Sequence, residues 1–386
     1  MKKIDRRSFF KAAGISGAGI ALTPYFKNLN AKVLFPDKPK TNIEDALKYP
    51  RTANSLPGKY PGKVICVYDS KSVMENKFDA ERIYNMVESA MLELTGKKDI
   101  SEAWLQFVSL KDRIGLKVNP VAGPTLSTSP EIVQAITKQL EKSGIPRRNI
   151  VIWDRREFEL FEAGFTEVCF PGIKIIGTER KDKDGSFYNS EGKLYGEEMI
   201  DKDWYYWADA EEKYDAETLP YMINEGKYSY YSKILTQDLD KVINIPILKN
   251  AGPTVTLCLK NLGFGCISNT SRLHKELWAD TCAEVCAFPP VRDKVVLNIV
   301  DGIKGCFQGG PGANPQFFTE YKTVLAGTDP VAVDRIGYDI VIKKRIEEKI
   351  QKEESPRGRV FMEYAEKLGL GIADINKISL TKIELE

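Results

Sequence analysis

Charged and polar side chains stand where short apolar segments of this sequence end. Lys117 and Asn119 close one such segment, Asp154 ends the next, and Lys249 follows a third. Lysines that face carboxylates bind anionic compounds, and crowding or burial lowers the pKa of a lysine so that it acts as a base. The sequence therefore predicts a composite polar pocket in which these side chains meet.

Further residues complete the predicted pocket and divide into two roles. The candidates for proton transfer are His274, Asp301, Asp334 and Lys249, and the candidates for ligand contact are Lys117, Asn119, Ser127, Thr128, Lys260 and Asn261. His274 is the only histidine of the chain. Metal sites that need two imidazoles are thereby excluded, while His274 stays available as a proton shuttle.

The segment from Asn119 to Ser129 predicts an anion site at a helix N-terminus. Ser129 suits the N-cap position and Pro130 the first helical position. Ser127 and Thr128 add hydroxyl groups beside the positive end of that helix, where a phosphate, sulfate or carboxylate is stabilised. The alternative is that these hydroxyls serve only to cap the helix.

The segment around Lys249 joins a predicted strand to a predicted helix. Val242–Leu248 is nearly all apolar, which is typical of a strand buried on both faces. Pro253 suits the first turn of a helix that ends near Gly265. We therefore expect Lys249 at the carboxyl end of the strand and Lys260 at the far end of the helix.

The alternation of apolar segments with helical patterns predicts an α/β fold with a mostly parallel central sheet and flanking helices. The predicted strands are Lys63–Tyr68, Arg113–Val118, Ile150–Trp153, Val242–Leu248, Lys294–Val300 and Lys322–Ala326. In an open sheet of this kind, ligands bind outside the carboxyl ends of the strands. This rule is the reason to expect the polar residues in one place.

Two segments depart from the alternating pattern. Residues 177–232 are rich in tyrosine and tryptophan and predict an insertion with short strands, packed by its aromatic side chains on the body of the protein or acting as a lid. Gly305–Gly312 is glycine-rich but lacks the spacing of the standard nucleotide-binding fingerprints.

The cysteines are too few for a disulfide scaffold, since the chain has seven and five of them fall between residues 258 and 306. Cys282 and Cys286 are four residues apart, so on a helix they share a face and are candidates to bind a metal. An iron–sulfur site between Cys258 and Cys306 is a further alternative, although the spacing matches neither common ferredoxin pattern.

The N-terminal segment predicts export. Asp5–Lys11 (Asp-Arg-Arg-Ser-Phe-Phe-Lys) resembles a twin-arginine motif, and the apolar segment after it, Ala12–Leu22, is too short to span a bilayer. We expect a signal peptide at residues 1–31, a single domain at 32–386, the twin-arginine translocase as partner during export, and a periplasmic location.

The charge balance argues against nucleic acid and membrane surfaces as partners. Residues 1–31 carry six basic side chains and one acid, so without them the formal net charge falls from +2 to about −3. A mildly acidic protein has no electrostatic footprint for nucleic acid or anionic lipid. We expect the cleaved protein to be soluble and not to insert stably into a membrane.

Several short motifs together resemble a known family. They are Leu116–Asn119, Leu126–Glu131, Ile152–Arg155, Ile245–Lys249, Leu259–Asn261, His274, Asp301–Gly302, Gly309–Pro311 and Thr328–Asp334. Over roughly residues 60–375 the chain resembles the family called domain of unknown function 362, in its exported form.

That resemblance implies an α/β domain of a bacterial exported protein and no assigned reaction. Some relatives are fused to iron–sulfur ferredoxin modules, which implies redox chemistry in part of the family. Relatives commonly carry an acid and a histidine after the strand-end lysine, whereas Asn250 and Ala251 follow Lys249 here. The resemblance therefore does not extend to a metal role at this position.

These observations favour an enzyme that acts on a small anionic or carboxylated compound. The alternatives are a non-catalytic small-ligand binding protein and a redox protein with a metal or iron–sulfur centre near Cys258–Cys306. A buried lysine or histidine with a shifted pKa beside a carboxylate favours the enzyme, and basic donors with stacking aromatics and no such pair favour the binding protein. The sequence names no cofactor.

Overall fold

The computed structural model of this protein describes residues 38–182, 184–223, 226–252, 254–351 and 356–385. The predicted signal peptide and its twin-arginine motif lie outside these residues. Residues 39–386 form one unit. Among the described residues, no helix is long and apolar enough to cross a membrane.

Helices and strands alternate along most of the described chain. The helices are α1 (Ile43–Lys48), α2 (Ala80–Thr95), α3 (Ile100–Trp104), α4 (Pro130–Lys142), α5 (Glu157–Glu162), α6 (Cys258–Gly265), α7 (Trp278–Ala287), α8 (Pro289–Arg292), α9 (Pro330–Glu347) and α10 (Val360–Lys367). The strands are β1 (Lys63–Asp69), β2 (Val73–Met74), β3 (Lys77–Phe78), β4 (Ile114–Lys117), β5 (Ile150–Arg156), β6 (Lys174–Glu179), β7 (Ile200–Trp207), β8 (Tyr228–Ser232), β9 (Lys241–Asn244), β10 (Ile247–Ala251), β11 (Thr254–Thr256), β12 (Val295–Cys306), β13 (Phe318–Thr319), β14 (Thr323–Gly327) and β15 (Ser379–Leu385).

The central sheet is mostly parallel, as predicted. Its main path runs β15-β1-β14-β12-β9-β4-β5-β6, and β10, β11 and β13 pair beside it. Along this path only β14 runs antiparallel to its neighbours. The mixed α/β architecture expected from the alternating pattern is therefore confirmed.

The sheet separates two apolar layers, because successive side chains of a strand point to opposite faces. In β5, Val151 and Trp153 belong to one buried cluster, and Ile150 and Ile152 belong to the other. The first cluster includes side chains of α6, α7, α9 and α10, and the second includes side chains of α2, α3 and α4. Strands buried on both faces explain the continuous apolar segments of the sequence.

The prediction of one strand at Val242–Leu248 is wrong in one respect. The segment forms two strands, β9 and β10, separated at Ile245 and Pro246. Proline has no N–H to donate to a ladder, so it interrupts the pairing. Both strands lie parallel to β12, with β10 alongside its later residues.

The predicted helix start at Pro253 is also wrong, because Thr254–Thr256 forms β11 and the helix begins at Cys258. Lys260 therefore lies in the first turn of α6 and not at its far end. The helix does end at Gly265, as expected.

The aromatic insertion packs on the body of the protein, as its composition indicated. β7 and β8 form an antiparallel pair within it. Tyr206 and Tyr231 are buried in the first apolar cluster. The hydroxyl of Tyr206 donates to Glu284 Oε2 at 2.8 Å, and that of Tyr231 donates to the carbonyl of Val285 at 2.9 Å.

Helix α9 is buried over most of its length. Asp329 caps it by accepting hydrogen bonds from Val331 N and Ala332 N. Val333 and Ile336 are buried, whereas Ile346 is 41% exposed. The last turn of this helix extends beyond the apolar core, since residues 346–350 are all exposed.

Candidate functional site

A cavity of about 260 Å³ lies at the carboxyl ends of the parallel strands. The chain runs from β4 outward through β5 and β6 and then returns to β9 on the other side of β4. Such a reversal of strand order opens a crevice where ligands of α/β proteins bind. The lining residues are Asn119, Val121, Asp154, Arg155, Arg156, Glu159, Lys249, Thr256, Lys260, Asn261, Phe264, Gly265, Thr270, His274 and Pro311.

Six of the predicted pocket residues converge at this crevice. Asn119, Asp154, Lys249, Lys260, Asn261 and His274 line the cavity. The remaining candidates divide between one lysine that supports the cavity wall and several residues that lie elsewhere.

Lys117 supports the wall through a buried ion pair. Its Nζ donates to Asp154 Oδ1, to the carbonyl of Val118 at 3.0 Å and to Asn261 Oδ1 at 3.3 Å. The Lys117 side chain has no exposed surface, and that of Asp154 is 6% exposed. The pair orients Asn261 and Asp154, so Lys117 acts on the cavity through these two side chains.

A chain of amide side chains ties the cavity to the sheet. Asn261 Nδ2 donates to Asn244 Oδ1 at 2.8 Å, and Asn244 Nδ2 donates to Asn298 Oδ1 at 2.9 Å. Asn119 Nδ2 donates to Asn261 Oδ1 at 3.2 Å. Because these amides are buried and have partners, they fix helix α6 against strands β9 and β12.

Lys249 is fully buried and has no carboxylate partner. Its Nζ donates to Asn119 Oδ1 at 3.1 Å and to the carbonyls of Val121 at 2.8 Å and Leu126 at 3.3 Å. Burial lowers the pKa of Lys249 to about 7, and the positive charge of Lys260 adds to this effect. Near neutral pH this amine therefore exists in both charged and uncharged forms.

Lys260 differs from Lys249 because its ammonium group has no acceptor among the described residues. It lies over the rings of Phe264 and Trp278, with Nζ 5.5 and 5.7 Å from their centroids. Burial lowers its pKa, and the nearby charge of Arg155 acts in the same direction. Aromatic faces stabilise the cation without occupying its hydrogen-bond donors.

His274 closes one side of the cavity as a neutral ring. Its Nδ1 lies 3.0 Å from the carbonyl of Thr270, and since a carbonyl only accepts, Nδ1 carries the proton and Nε2 is free to accept one. The residue as a whole is exposed, but its ring lies 4.4 Å from that of Phe264. Burial of the ring, with the charges of Lys260 and Arg155, lowers the pKa of His274 to about 4.

Two arginines and two glutamates form the other side. Arg156 Nη1 donates to Glu159 Oε1 at 2.9 Å, and Arg156 Nε donates to Glu179 Oε2 at 3.2 Å. Arg155 Nε lies 3.5 Å from Glu179 Oε1, and its Nη1 donates to Thr270 Oγ1. Both arginines are thus paired, while Glu159 Oε2 is buried and no described residue forms a hydrogen bond with it.

Thr256 was missed in the sequence because its strand was predicted to be a helix. Thr256 lines the cavity, and its buried hydroxyl has no hydrogen-bond partner in the part of the chain that the structure describes. Thr256 lies directly opposite Lys249 in the antiparallel β10–β11 pair. Arg155, Arg156 and Glu159 are further lining residues outside the predicted set, and the only sequence signal for them is their position after β5 residue Asp154.

Asp301 does not line the main cavity, which corrects its predicted place in the pocket. Its Oδ2 accepts hydrogen bonds from Ser129 N at 2.8 Å and Ser129 Oγ at 2.7 Å, and its Oδ1 accepts from Ile303 N at 3.1 Å. Burial raises the pKa of Asp301 to about 6. The anion that we expected at the start of α4 is therefore this carboxylate of the chain itself, and Ser129 donates to it instead of capping the helix.

Ser127 and Thr128 are also directed away from the main cavity. Thr128 Oγ1 accepts from Asn119 N at 2.9 Å and donates to the carbonyl of Ile245 at 2.7 Å, so it positions Asn119. Ser127 lines a separate cavity of about 60 Å³ together with Asp301. Direct ligand contact by these two hydroxyls in the main pocket stays a prediction without a geometric basis.

Asp334 lies behind helix α6 and not in the cavity. Its carboxylate accepts hydrogen bonds from Cys258 N at 2.6 Å and Leu259 N at 3.0 Å, at the first turn of that helix. Burial raises the pKa of Asp334 to about 7. Asp334 therefore caps the helix that carries Lys260 and Asn261. Its position does not match the predicted role in proton transfer.

The predicted metal ligands Cys282 and Cys286 point into the apolar core. Both are buried free cysteines of α7, and Cys286 Sγ donates to the carbonyl of Leu259 at 3.7 Å. Within the described ranges, no group of three or more His, Cys, Asp and Glu side chains is arranged to hold a metal ion. The geometry therefore gives these thiols a packing role.

The glycine-rich segment after β12 is explained by close backbone contacts. A Cβ on Gly305 would lie 1.9 Å from the carbonyl oxygen of Leu248, and a Cβ on Gly310 would lie 1.8 Å from that of Asn250. Only glycine allows this approach. These glycines hold β10, and with it Lys249, against β12.

The arrangement combines three chemical capacities in one small space. Lys260 supplies a positive charge that has no acceptor in the described part of the chain, Lys249 supplies an amine with a lowered pKa, and His274 Nε2 and Glu159 Oε2 are hydrogen-bond acceptors. Ligand pockets for drug-sized compounds usually enclose roughly 300–1,000 Å³, so a cavity of about 260 Å³ suits a small compound.

Comparison with known proteins finds one family that matches part of the chain. Residues 213–339 match the model of the family described as "Domain of unknown function (DUF362)". This match confirms the expected family over that segment, which contains Lys249, Lys260 and His274. No curated protein matches the chain. A crystal structure of a protein from Thermotoga maritima aligns with 70% of this chain and 60% of its own, at 9% identity and a TM-score of 0.36.

Proposed function

We propose that this protein is an enzyme that acts on a small carboxylated compound in the cavity above β4 and β9. Residues 213–339 match a family whose description states no reaction. The observation that carries the proposal is the ammonium of Lys260. Lys260 as a residue is only 8% exposed, and none of the described residues accepts a hydrogen bond from its ammonium group.

An ammonium group without an acceptor in a buried wall favours an anionic ligand. A buried charge is costly unless it is paired, and a carboxylate bound in the cavity would pair it. The other cations of the site leave this role open, because Arg155 and Arg156 are paired with glutamates and Lys117 with Asp154.

The lowered pKa of Lys249 favours catalysis over simple binding. The pKa of Lys249, lowered to about 7 by burial, is suited to proton transfer near neutral pH. His274 Nε2 and Glu159 Oε2 add hydrogen-bond acceptors to the same cavity.

A non-catalytic binding protein is the second candidate, and one observation favours it. Lys249 Nζ lies beside three oxygen acceptors, which matches the three donors of an ammonium. In that case both lysines would remain charged and would only hold the ligand.

Export by the twin-arginine route remains part of the proposal. It is supported by the motif around Arg6 and Arg7 and by the short apolar segment after it. The enzyme would then act in the periplasm.

The test is a calorimetric titration with lactate, a small monocarboxylate. We expect the wild-type chain to bind lactate and the Lys260→Met variant to bind it roughly tenfold to hundredfold more weakly, since a hydrogen bond to a charged group contributes about 1.5–3 kcal/mol. Methionine keeps most of the apolar stem of the lysine. The control is Lys343→Met, whose side chain is 81% exposed. Equal binding by wild type and Lys260→Met would contradict the proposal.

A further inference from the structure

We propose that Lys249 forms an imine with the carbonyl carbon of an oxo acid bound in the cavity. This inference rests on the proposed function and names its substrate class: a compound that carries both a carboxylate and a ketone or aldehyde. The juxtaposition of Lys249, Thr256 and Lys260 in one cavity carries it.

The surroundings of Lys249 suit an amine that must react as a nucleophile. A lysine acts as a nucleophile only in its uncharged form. A carboxylate partner would hold the proton on the amine, but Lys249 Nζ meets one amide oxygen and two backbone carbonyls, which are neutral. These acceptors carry no net charge, so they favour the ammonium form less than a carboxylate would.

Thr256 provides the second observation. Residues directly opposite each other in an antiparallel pair have Cβ atoms about 4.5–5.5 Å apart, and Thr256 is the cross-strand partner of Lys249. Its hydroxyl is buried and has no hydrogen-bond partner among the described residues, although a buried polar group normally has one. A carbonyl oxygen on the carbon attacked by Lys249 would supply that partner.

Lys260 completes the recognition of an oxo acid. Its ammonium has no acceptor among the described residues and lines the same cavity, so it is placed to bind the carboxylate. Its charge also disfavours the ammonium form of Lys249, as two neighbouring cations repel. One cation thus binds the substrate and helps to keep the other amine reactive.

The reaction balances without any oxidant, reductant or cofactor. The lone pair of Lys249 Nζ attacks the carbonyl carbon and forms a C–N bond, while the C=O π electrons move to oxygen. The nitrogen loses one proton and the oxygen gains one, which gives a carbinolamine whose hydroxyl lies beside Thr256. The second proton of the nitrogen is then transferred to the hydroxyl, the C–O bond breaks so that water leaves, and the lone pair of the nitrogen forms the C=N bond. Both amine protons thus end on the departing water, and no proton is gained or lost overall.

The experiment is reductive trapping on the full chain. The protein is incubated with pyruvate and cyanoborohydride, digested, and mapped by mass spectrometry, with lactate as the carbonyl-free control. We expect the reduced pyruvate adduct on the peptide that carries Lys249, at a level well above that on the exposed Lys343, and no adduct with lactate. The site is identified on the wild-type chain, so this result does not depend on the folding of a variant.

Two variants separate the parts of the inference. Thr256→Val keeps the shape of the side chain and removes its hydroxyl, and we expect roughly tenfold slower trapping, with rescue by Thr256→Ser. Lys260→Met should lower trapping by weakening pyruvate binding.

The outcomes also separate this inference from the proposed function. If lactate and pyruvate bind in a Lys260-dependent manner but pyruvate gives no more adduct on Lys249 than on Lys343, the imine is overturned and the carboxylate site stands. If neither acid binds, the proposed function itself fails. Trapping that is unchanged in Thr256→Val would overturn the role of that hydroxyl.

Discussion

At the scale of single residues, the three buried lysines of the site differ in the groups that surround their amines. Lys117 has a carboxylate partner, Lys249 has three neutral oxygens, and Lys260 has two aromatic faces. The same side chain thus takes three electrostatic states within one site. Sequence reasoning places all three lysines together, but it does not distinguish these states, because the partners come from distant segments.

The ion pair of Lys117 leads to a stability prediction. Lys117→Met leaves Asp154 buried without its partner, so we expect the free energy of unfolding to fall by about 3–5 kcal/mol. The double variant Lys117→Met with Asp154→Leu should recover most of this loss, because it removes both charges. Chemical denaturation measures both values.

The control for this prediction is the exposed pair Lys343–Glu347, where Lys343→Met should cost less than about 1 kcal/mol. A single Lys117→Met variant that is as stable as this control would show that the pair does not support the cavity wall.

At the scale of elements, close contact between β10 and β12 positions Lys249. Gly305→Ala places a methyl group 1.9 Å from the carbonyl oxygen of Leu248, so the two strands must separate. We expect a loss of about 1–3 kcal/mol in stability and weaker lactate binding. Thermal unfolding and the lactate titration measure the two effects.

Gly312→Ala is the matched control, because a Cβ there meets no atom within 4 Å. It should change stability by no more than about 0.5 kcal/mol. Equal behaviour of the two glycine variants would contradict the role assigned to the β10–β12 contact.

Helix α6 depends on a cap from a distant helix. Asp334→Asn keeps the shape of the side chain but replaces one accepting oxygen with an NH2 group. This donor would face a backbone N–H of α6, so we expect the free energy of unfolding to fall by about 1–3 kcal/mol. The exposed cap Asp79, which accepts from Glu81 N and Arg82 N, offers a matched control. Asp79→Asn should cost only a few tenths of a kcal/mol, since asparagine is itself a good cap.

Asp334 also makes the free energy of unfolding depend on pH, and its raised pKa gives the direction of this dependence. Its pKa of about 7 in the folded chain lies above the ordinary value of about 4. The folded state therefore binds this proton more tightly, and this contribution to the free energy of unfolding falls as pH rises from about 4 to about 7. A wild-type chain and an Asp334→Asn variant with parallel pH profiles of stability would contradict this assignment.

The elements also show where sequence reasoning succeeded and where it failed. The parallel strands β4 and β5 and the helix between them were predicted, because apolar runs, Pro130 and the stop signals are local. The start of α6 was predicted too early, since it is set by Asp334, which lies 76 residues from Cys258. The N-terminus of α4 at Ser129 was predicted to bind an external anion. The carboxylate of Asp301, 172 residues away along the chain, accepts the hydrogen bond there instead.

At the scale of the whole molecule, the order of the strands creates the site. The reversal between β4 and β9 brings residues from the segments near 117, 154, 249 and 260 to one crevice. The rule for open α/β sheets predicts such a crevice from the strand pattern alone. It does not predict which strand-end residues enter, and Asp301 was misplaced because β12 continues to Cys306, so that Asp301 lies within the strand.

Export concerns the molecule as a whole and remains to be tested. If the N-terminal motif is a twin-arginine signal, replacing both Arg6 and Arg7 with lysine should leave the protein in the cytoplasm while its fold is unchanged. Cell fractionation with immunodetection measures this, with Lys2→Arg and Lys3→Arg as a charge-matched control. Periplasmic protein from the double Arg6→Lys, Arg7→Lys variant would reject the signal.

An NMR titration of the lysine Cε resonances, from about pH 5 to about pH 10, with and without lactate, tests the anion site most directly. We expect Lys249 to titrate with a midpoint of about 7. Lactate should raise this midpoint, because a bound anion favours the ammonium, and should shift the resonance of Lys260 but not that of Lys343. If Lys249 stays charged over the same range as Lys343 and lactate moves neither buried lysine, the cavity is not the anion site described here.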